Sequence, residues 1–314
     1  MSAEPGLVSI ITPSYNQARY IEKTIQSVLS QEYTSLEYSV IDGGSTDGSA
    51  DIIRKYSDRL SWWVSEKDGG QAEAINKGLS RAKGEILAWL NSDDYYLPGA
   101  ISGVVKAFQD NPDATLVYGN MLAVDEHGQT INLLKYKQLT LEDLLCFQII
   151  GQPAVFFRRE ALEKAGSLDI SYHCLLDHHL WLRMALQGSI IHVDENWAAA
   201  RYHSQAKNRA RAAEFGHEAF RILEEASLDK NLAPILARVS RHAHASAHRV
   251  DARYMLNAGQ VRKSLSAWFR ALFIHPPTAL ARLNILVSAF LQLIGLGKLR
   301  EMYLKHRITR LIQH

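Results

Sequence analysis

The run Asn91-Ser92-Asp93-Asp94 ends the apolar stretch Ile86 to Leu90, so two carboxylates stand where a buried strand would meet solvent. Acids so placed can hold a hard cation over a diphosphate, because Mg²⁺ or Mn²⁺ takes oxygen ligands and is usually bound by one or two carboxylates plus the phosphates themselves. The motif points to a nucleotide-dependent transferase. Adjacent aspartates also cap helices, and Pro98 suits a first helical turn, so the motif gains its weight from its neighbours.

Those neighbours repeat one pattern. Leu7 to Ile11 reads as a short strand that breaks into Thr12-Pro13-Ser14-Tyr15-Asn16 before an amphipathic stretch, Ala18 to Leu29. Leu36 to Ile41 reads as a second strand, ending in Asp42-Gly43-Gly44-Ser45-Thr46-Asp47-Gly48-Ser49 ahead of a helical Ala50 to Tyr56. Ser61 to Ser65 is followed by Glu66-Lys67-Asp68-Gly69-Gly70-Gln71 and a helix over Ala72 to Ala82. Strands alternating with helices imply right-handed crossovers and a largely parallel sheet, hence an α/β fold. Ligands bind outside the carboxyl ends of such strands, so Asp42, Asp68, Asp93 and Asp94 are expected to converge on one rim. The glycines at 43, 44, 69 and 70 allow close backbone approach. Ser45 and Asp47 suit turn and cap chemistry equally well.

These motifs resemble the inverting family 2 glycosyltransferases with the GT-A fold, over roughly residues 7 to 208. The resemblance rests on Thr12 to Asn16, Asp42 to Ser49, Asp68 to Gln71 with Asn76-Lys77-Gly78 behind it, and Leu90 to Asp94. It implies a Rossmann-like, mostly parallel sheet flanked by helices. It further implies that Thr12, Pro13 and Tyr15 line the nucleotide pocket, that Asp42 hydrogen-bonds the nucleobase, and that Asp68 lies beside base and ribose. Gln71 and Asn91 join the donor-binding set. Asp93 falls on the last acid of the family's Asp-x-Asp motif and would ligate Mn²⁺ or Mg²⁺, with Asp94 supporting it or touching the donor sugar. Asn91 replaces the motif's first acid.

The resemblance also supplies a catalytic side. Gly151-Gln152-Pro153 leads into a strand at Ala154 to Phe157, then Arg158-Arg159, and Gly166, Leu168 and Asp169 follow. A helix beginning near Leu175 then places Asp177 on the family's catalytic-base position, with Leu176 and His179 where acids are common. An inverting displacement needs one base for the acceptor hydroxyl. Aspartate, with a reference pKa near 4, serves best where desolvation raises that value. The competing reading makes Asp177 a helix cap. His179 either contacts the acceptor or is a partly buried histidine with ordinary partners. Arg201-Tyr202-His203-Ser204-Gln205-Ala206-Lys207 resembles the family's basic segment over the donor, with His203 and Lys207 on phosphate and Arg201 behind them. An ordinary solvated basic stretch is the alternative.

Length and composition, 314 residues with 47% hydrophobic and 22% charged, suit one large domain and an appendage. Residues 1 to 195 hold 16 Lys/Arg against 26 Asp/Glu, and residues 196 to 314 hold 19 against 7. The net charge of +2 thus hides −10 followed by +12. A basic tail suggests a polyanion or anionic lipid nearby. No zinc-finger, RNA-binding or basic-zipper pattern points to nucleic acid, which is not expected as a partner. Two cysteines, Cys146 and Cys174, in no paired motif suit a reducing cytosol. No basic leader precedes the first strand, so neither a secretory signal nor an N-terminal anchor is expected.

The expected division is a catalytic domain over 1–208 and a basic helical region over 209–314. Within the latter, Ala252, Gly259, Trp268, Ala271 and Pro276 match one tetratricopeptide-like hairpin at about 245–278. Ile285 to Leu296 is apolar, and Lys298, Arg300, Lys305, Arg307 and Arg310 follow it. Too short to span a bilayer, a helix over about 283–310 either lies on an anionic inner leaflet or is a core helix with a basic end. His242, His244 and His248 lack the spacing for zinc.

Two functions are expected from these features. One is an inverting, metal-dependent enzyme that moves sugar from a nucleotide donor, with UDP the expected nucleotide, to a glycan or lipid-linked acceptor in cell-surface polysaccharide synthesis. It would act in the cytoplasm, peripherally at the membrane if the tail helix lies there. The other is a degenerate nucleotide-sugar-binding scaffold, suggested by Asn91, Leu176 and His179. A dehydrogenase is excluded by the missing Gly-x-Gly-x-x-Gly, and a sugar nucleotidyltransferase by the missing glycine-rich basic first loop.

Overall fold

The computed structural model describes residues 4–203 and 211–296. The chain divides into two units, Met1–Leu139 with Ile150–Tyr202, and Thr140–Ile149 with His203–His314.

In the first unit, β1 (Glu4–Ser14), β2 (Leu36–Asp42), β3 (Trp62–Ser65) and β4 (Gly84–Trp89) lie in the order β3-β2-β1-β4 and are all parallel. Parallel neighbours need crossovers, which α1 (Ile21–Leu29), α2 (Ser49–Arg54) and α3 (Gln71–Arg81) provide. The register sets Ser14 beside Asp42 and Asp42 beside Ser65, so three strands end level. Residues 8 to 14 of β1 are continuously buried, as expected for a strand covered on both faces. Their inward side chains, Val8 and Ile10, pack with Val40, Ile86 and Ala88 and with Ile21, Ile25 and Val28 of α1.

The other half of the sheet departs from the expected parallel order. β8 (Val155–Arg158) runs antiparallel to β4 and to β6 (Ala114–Val124), while β9 (Ser189–Arg201) runs parallel along the other edge of β6. β7 (Thr130–Leu134) folds back on β6 as a hairpin. The two-residue β5 (Tyr95–Tyr96) pairs with Ala198 and Ala199 of β9. The sheet is therefore mixed. The β6–β7 hairpin reverses the chain, and β8 enters between β4 and β6 against the direction of both. α4 (Ala100–Asp110) covers this half with Ile101, Val104 and Phe108.

Two close contacts fix the helices. At Gly78 of α3 an added Cβ would lie 2.5 Å from Cγ2 of Ile11 and 2.8 Å from Cδ1 of Ile41, so only glycine lets this helix sit so near the sheet. Two residues earlier, Asn76 donates to the carbonyl of Leu168 at 2.8 Å and accepts from its amide at 3.0 Å. That clamp ties α3 to the chain between α6 (Arg159–Ala165) and α7 (Leu176–Ala185).

The helical unit takes in α5 (Leu141–Leu145), opened by a capping box between Thr140 and Asp143. It continues with α8 (Glu214–Leu228), α9 (Ala233–Asn257), α10 (Val261–Ile274), α11 (Pro276–Leu280) and α12 (Leu283–Leu293). The boundary expected at 208 lies outside the described residues, and residues 140–149 join this unit instead of the sheet. Arg249 donates to the carbonyls of Cys146 and Phe147, and Arg238 pairs with Glu142 at 2.7 Å, which holds that segment. Such long-range pairing gives no signal in a local sequence pattern. Ala252, Trp268 and Ala271 pack between α9 and α10 across a turn at Gly259, where φ is +74°. Pro276 opens α11 two residues after α10 ends. Both cysteines are free, and burial pushes the Cys146 thiol up to about 11. Among the described residues no helix is long and apolar enough to cross a membrane. The part of the expected surface helix from residue 297 onward lies outside the described residues.

Gly78→Ala should destabilise the protein by about 1–3 kcal/mol, since the methyl must displace β-branched side chains or lift the helix. Urea unfolding followed by circular dichroism measures this; an unchanged midpoint would show that the sheet yields freely.

Candidate active site

The level strand ends set the first half of the site. Asp42 is fully buried, and its carboxylate accepts from the Ser45 amide at 2.9 Å, the Ser45 hydroxyl at 2.5 Å and the Ser65 hydroxyl at 2.6 Å. Ser65 lies beside it in register, so β3 helps orient an acid carried by β2. Asp68 comes to the same place: a Cβ on Gly43 would lie 3.0 Å from its carboxylate. Desolvation raises the pKa of Asp68, and the neighbouring charges of Glu73 and Asp42 add to this against the Gly70 amide, which bonds it at 2.9 Å. Gly70 has φ +118°, a conformation open to glycine.

The loop after β1 is stitched to the loop after β2. The Asn16 amide donates to Ser45 Oγ at 2.7 Å, Thr46 N donates to Asn16 Oδ1 at 3.0 Å, Gln17 N donates to Ser49 Oγ at 2.9 Å, and Ala18 N donates to Asp47 at 2.9 Å. Ser45 therefore serves the loop, while Asp47 serves both loop and helix start, since it also accepts from the Ser49 amide at 3.0 Å; the N-cap residue of α2 is Gly48, without a side-chain bond. Within the pocket-lining set expected for this loop, Thr12 is buried and its hydroxyl accepts from Tyr38 at 3.0 Å, and Pro13 is also buried. Tyr15, 63% exposed, is the side chain this loop presents to solvent.

Asn91 is the centre of the second half. Its Oδ1 accepts from Gln71 at 2.7 Å, and its Nδ2 donates to Gln152 at 3.1 Å and more weakly to Asp94 at 3.3 Å. Gln152 in turn donates to the Trp89 carbonyl at 2.8 Å. Three segments distant in sequence, at 71, 91 and 152, are thus joined by side-chain amides. Asp94 is only 6% exposed and accepts from the Arg201 amide at 2.9 Å, while Arg201 Nε donates to the Asp93 carbonyl at 3.0 Å. Burial, with the Asp93 charge beside it, holds the Asp94 pKa well above the usual carboxylate range. Asp93 itself is half-buried and is the acid of this loop open to solvent.

Arg201 was expected behind the phosphate-binding residues; in the structure it lies against the loop carrying Asp93 and Asp94. Its guanidinium lies over the rings of Tyr20 at 4.8 Å and Tyr95 at 5.6 Å and bonds the carbonyls of Asp125 and Glu126. With Arg19 and Lys23 it lines a cavity of about 480 Å³ beside the loop. His203 falls in the helical unit, and Lys207 lies outside the described residues.

Asp177 stands in the first turn of α7, but it is not the cap: Leu175 occupies that position, and the Asp177 carboxylate accepts from the adjacent His178 amide at 2.8 Å. One turn on, Trp181 stacks on Trp89 at 5.2 Å and meets Phe157 at 5.7 Å. Trp89 precedes Asn91 by two residues, so the helix carrying Asp177 is anchored on the strand that leads into the Asn91–Asp94 loop. His179 stacks on the buried Tyr172 at 4.4 Å. Gln152 received no role from the sequence; a polar residue directly before a proline and a buried strand was the available signal.

A divalent ion fits these donors. Asp93 offers a half-exposed carboxylate, whereas Asn91 has its amide oxygen engaged by Gln71 and Asp94 is buried. One carboxylate suffices for Mg²⁺ or Mn²⁺ where diphosphate and water complete the shell.

Residues 9–166 match the model of glycosyl transferase family 2. The chain belongs to that family. An uncharacterized glycosyltransferase of Nostoc sp. is 31% identical over 219 residues, which cover 66% of this chain and 67% of the relative. A putative teichuronic acid biosynthesis glycosyltransferase, TuaG of Bacillus subtilis, is 35% identical over 159 residues, 49% of this chain and 63% of the relative. The chain spans 35% of the length of a glycosyltransferase of Rickettsia felis that it matches at 31% identity over 63% of itself. Among solved structures, Staphylococcus aureus TarS 1–349 in complex with UDP-GlcNAc superposes with a TM-score of 0.61 at 17% identity, over 87% of this chain and 90% of that one. The mannosyltransferase PcManGT from Pyrobaculum calidifontis, in complex with GDP-Man and Mn²⁺, gives 0.61 at 20% identity over 99% and 89%. At these identities the likeness establishes the fold, GT-A, for this family 2 domain.

An acid with a raised folded pKa keeps its proton after the unfolded chain has lost it, so stability is greatest below the unfolded value near 4 and falls as pH rises. Asp94 and Asp68 both act in this sense. In EDTA, Asp94→Asn should flatten the decline in stability between about pH 4 and 7. Chemical denaturation across that range checks it; an unchanged slope would assign the decline elsewhere.

Proposed function

We propose that this protein is an inverting glycosyltransferase that moves a sugar from a nucleoside diphosphate sugar, with UDP as the nucleotide, to a hydroxyl of a glycan or lipid-linked acceptor in cell-surface polysaccharide synthesis. The observation that carries the reading is the amide network of Gln71, Asn91 and Gln152, which fixes the loop bearing Asp93 against the strand that anchors the Asp177 helix. The TuaG relative supports the glycan class, and the donor complexes of TarS and PcManGT support a nucleotide sugar.

Asp42 and Asp68, drawn together at the ends of β2 and β3, supply acceptors for the N–H groups of a nucleobase and for ribose hydroxyls, with Tyr15 as the apolar surface beside them. Asp93 would hold Mn²⁺ or Mg²⁺. When bound, that ion supplies positive charge to the leaving diphosphate. His203 and Lys207 belong to the same proposal as donors to phosphate oxygens. Asp177 accepts the proton of the acceptor hydroxyl as its oxygen forms a bond to the anomeric carbon. The bond from that carbon to the phosphate oxygen breaks on the opposite face, which inverts the centre and releases the nucleoside diphosphate. A correctly placed base contributes about 10²–10⁴-fold to rate.

A panel of nucleotide sugars, scored by thermal shift and donor turnover with Mn²⁺, Mg²⁺ or EDTA, tests this. One donor should raise the melting temperature only with metal, and Asp93→Ala should abolish that shift. Asp177→Asn should keep the shift while turnover falls about 10²–10⁴-fold. If no donor shifts the wild type with either metal, the transfer reading fails and a scaffold role replaces it.

A further inference from the structure

Residues 252 to 300 contain seven Lys or Arg and no Asp or Glu. Within this acid-free stretch, α12 has an apolar face that is exposed among the described residues. At 3.6 residues per turn, Leu283, Val287, Phe290 and the following Ile294 fall in one stripe, and they are 46 to 64% exposed. The opposite side of the helix is committed: Ile285 and Ala289 are buried in the cluster containing Trp268 and Ala271. Monomeric proteins rarely leave such an apolar face to water unless it meets something.

Cations gather at the start of the same helix. Arg282 directly precedes α12 and is exposed, as is Arg253, while Arg249 is half-buried. Arg249 is spent on the carbonyls of Cys146 and Phe147, and burial with the charges of Arg282 and Arg253 pushes its pKa down to about 10. Among the described residues no carboxylate forms an ion pair with any of the three. Arg253 and Arg282, both close enough to disfavour the charge on Arg249, form with the exposed apolar stripe a surface complementary to anions carried on an apolar phase.

We propose that the α12 stripe and the adjoining, exposed Arg253 and Arg282 form a docking surface for anionic lipid bilayers, with the stripe at the boundary of headgroup and acyl chain and these two guanidiniums on lipid phosphates. A helix of this length is too short to span the hydrocarbon core and lies along the surface instead. A second copy of the chain is the poorer occupant, because a symmetric pairing of this face would set its arginines against one another. The inference does not rest on sugar transfer, since all its residues belong to the helical unit and its test reads no turnover.

The full chain is mixed with vesicles of phosphatidylcholine alone, or containing phosphatidylglycerol, and co-sedimentation is read at low and high salt. Wild type should bind anionic vesicles at least about tenfold more tightly than neutral ones and lose that preference at high salt. Arg253→Glu with Arg282→Glu should abolish the preference, and Val287→Asp with Phe290→Asp should weaken binding to both vesicle types. All four side chains are exposed, so the fold should persist, and an unchanged circular dichroism spectrum verifies this. The proposal is overturned if wild type does not distinguish the vesicles, or if the variants bind as it does. A dimer that Phe290→Asp dissociates, without vesicle binding, would give the stripe to a second copy.

Discussion

Asp94 lies beneath the loop that carries Asp93, and a carboxylate taken out of water must be met by donors. The donors come from two directions: the Arg201 amide at the end of β9 and the Asn91 side chain from the same loop. The first cannot be supplied unless the mixed half of the sheet is assembled, because Arg201 reaches the loop only after β9 has run the length of β6 and paired with β5. The buried acid thus couples the parallel half, which ends in the loop, to the mixed half, which closes over it. Satisfied, it orients Asp93; unsatisfied, it would be a cost of several kcal/mol at the edge of the core (about 1–3 for an ordinary buried polar group and more for a charge).

The amide network extends the same constraint sideways. Side-chain amides donate and accept at once, so Gln71, Asn91 and Gln152 form a chain that ends on the Trp89 carbonyl without placing a further charge in the site. Trp89 is also the platform for Trp181. Packing and hydrogen bonding therefore converge on one strand end, and the helix bearing Asp177 takes its position from the same residue that supports the loop carrying Asp93. The stacking supplies rigidity through area; the amides supply direction.

The parallel half of the sheet was legible because its signals are local. Each strand is an apolar run ended by Gly, Ser and Asp, and each crossover helix follows at once, so β1 to β4 and α1 to α3 fall within a few residues of their expected limits. The level ends of β2 and β3, and the approach of Asp68 to Asp42, follow from that topology. Of the mixed half, the strand expected at Ala154 to Phe157 was read and is β8, but the others were not, because β5 has two residues, β7 alternates weakly, and β9 becomes a strand only through β6. The capture of residues 140–149 by the helical unit depends on Arg249 and Arg238, about a hundred residues away. Thr12 shows the limit at single-residue scale: its place in the motif is evident from the sequence, but its inward turn towards Tyr38 depends on a partner in the next strand.

Asn91 gains a physical rationale from this arrangement. With an aspartate at that position, a third negative charge would stand beside Asp93 and the buried Asp94, whose ionisation is already disfavoured by burial and by Asp93. Like charges at such spacing raise one another's pKa, and the loop would depend on a cation merely to hold its shape. A neutral amide removes that repulsion and adds a donor, which a carboxylate lacks, directed at Asp94 and Gln152. The departure from the acidic motif is therefore consistent with a loop that is held by its own amide hydrogen bonds, with Asp93 half-exposed at its surface.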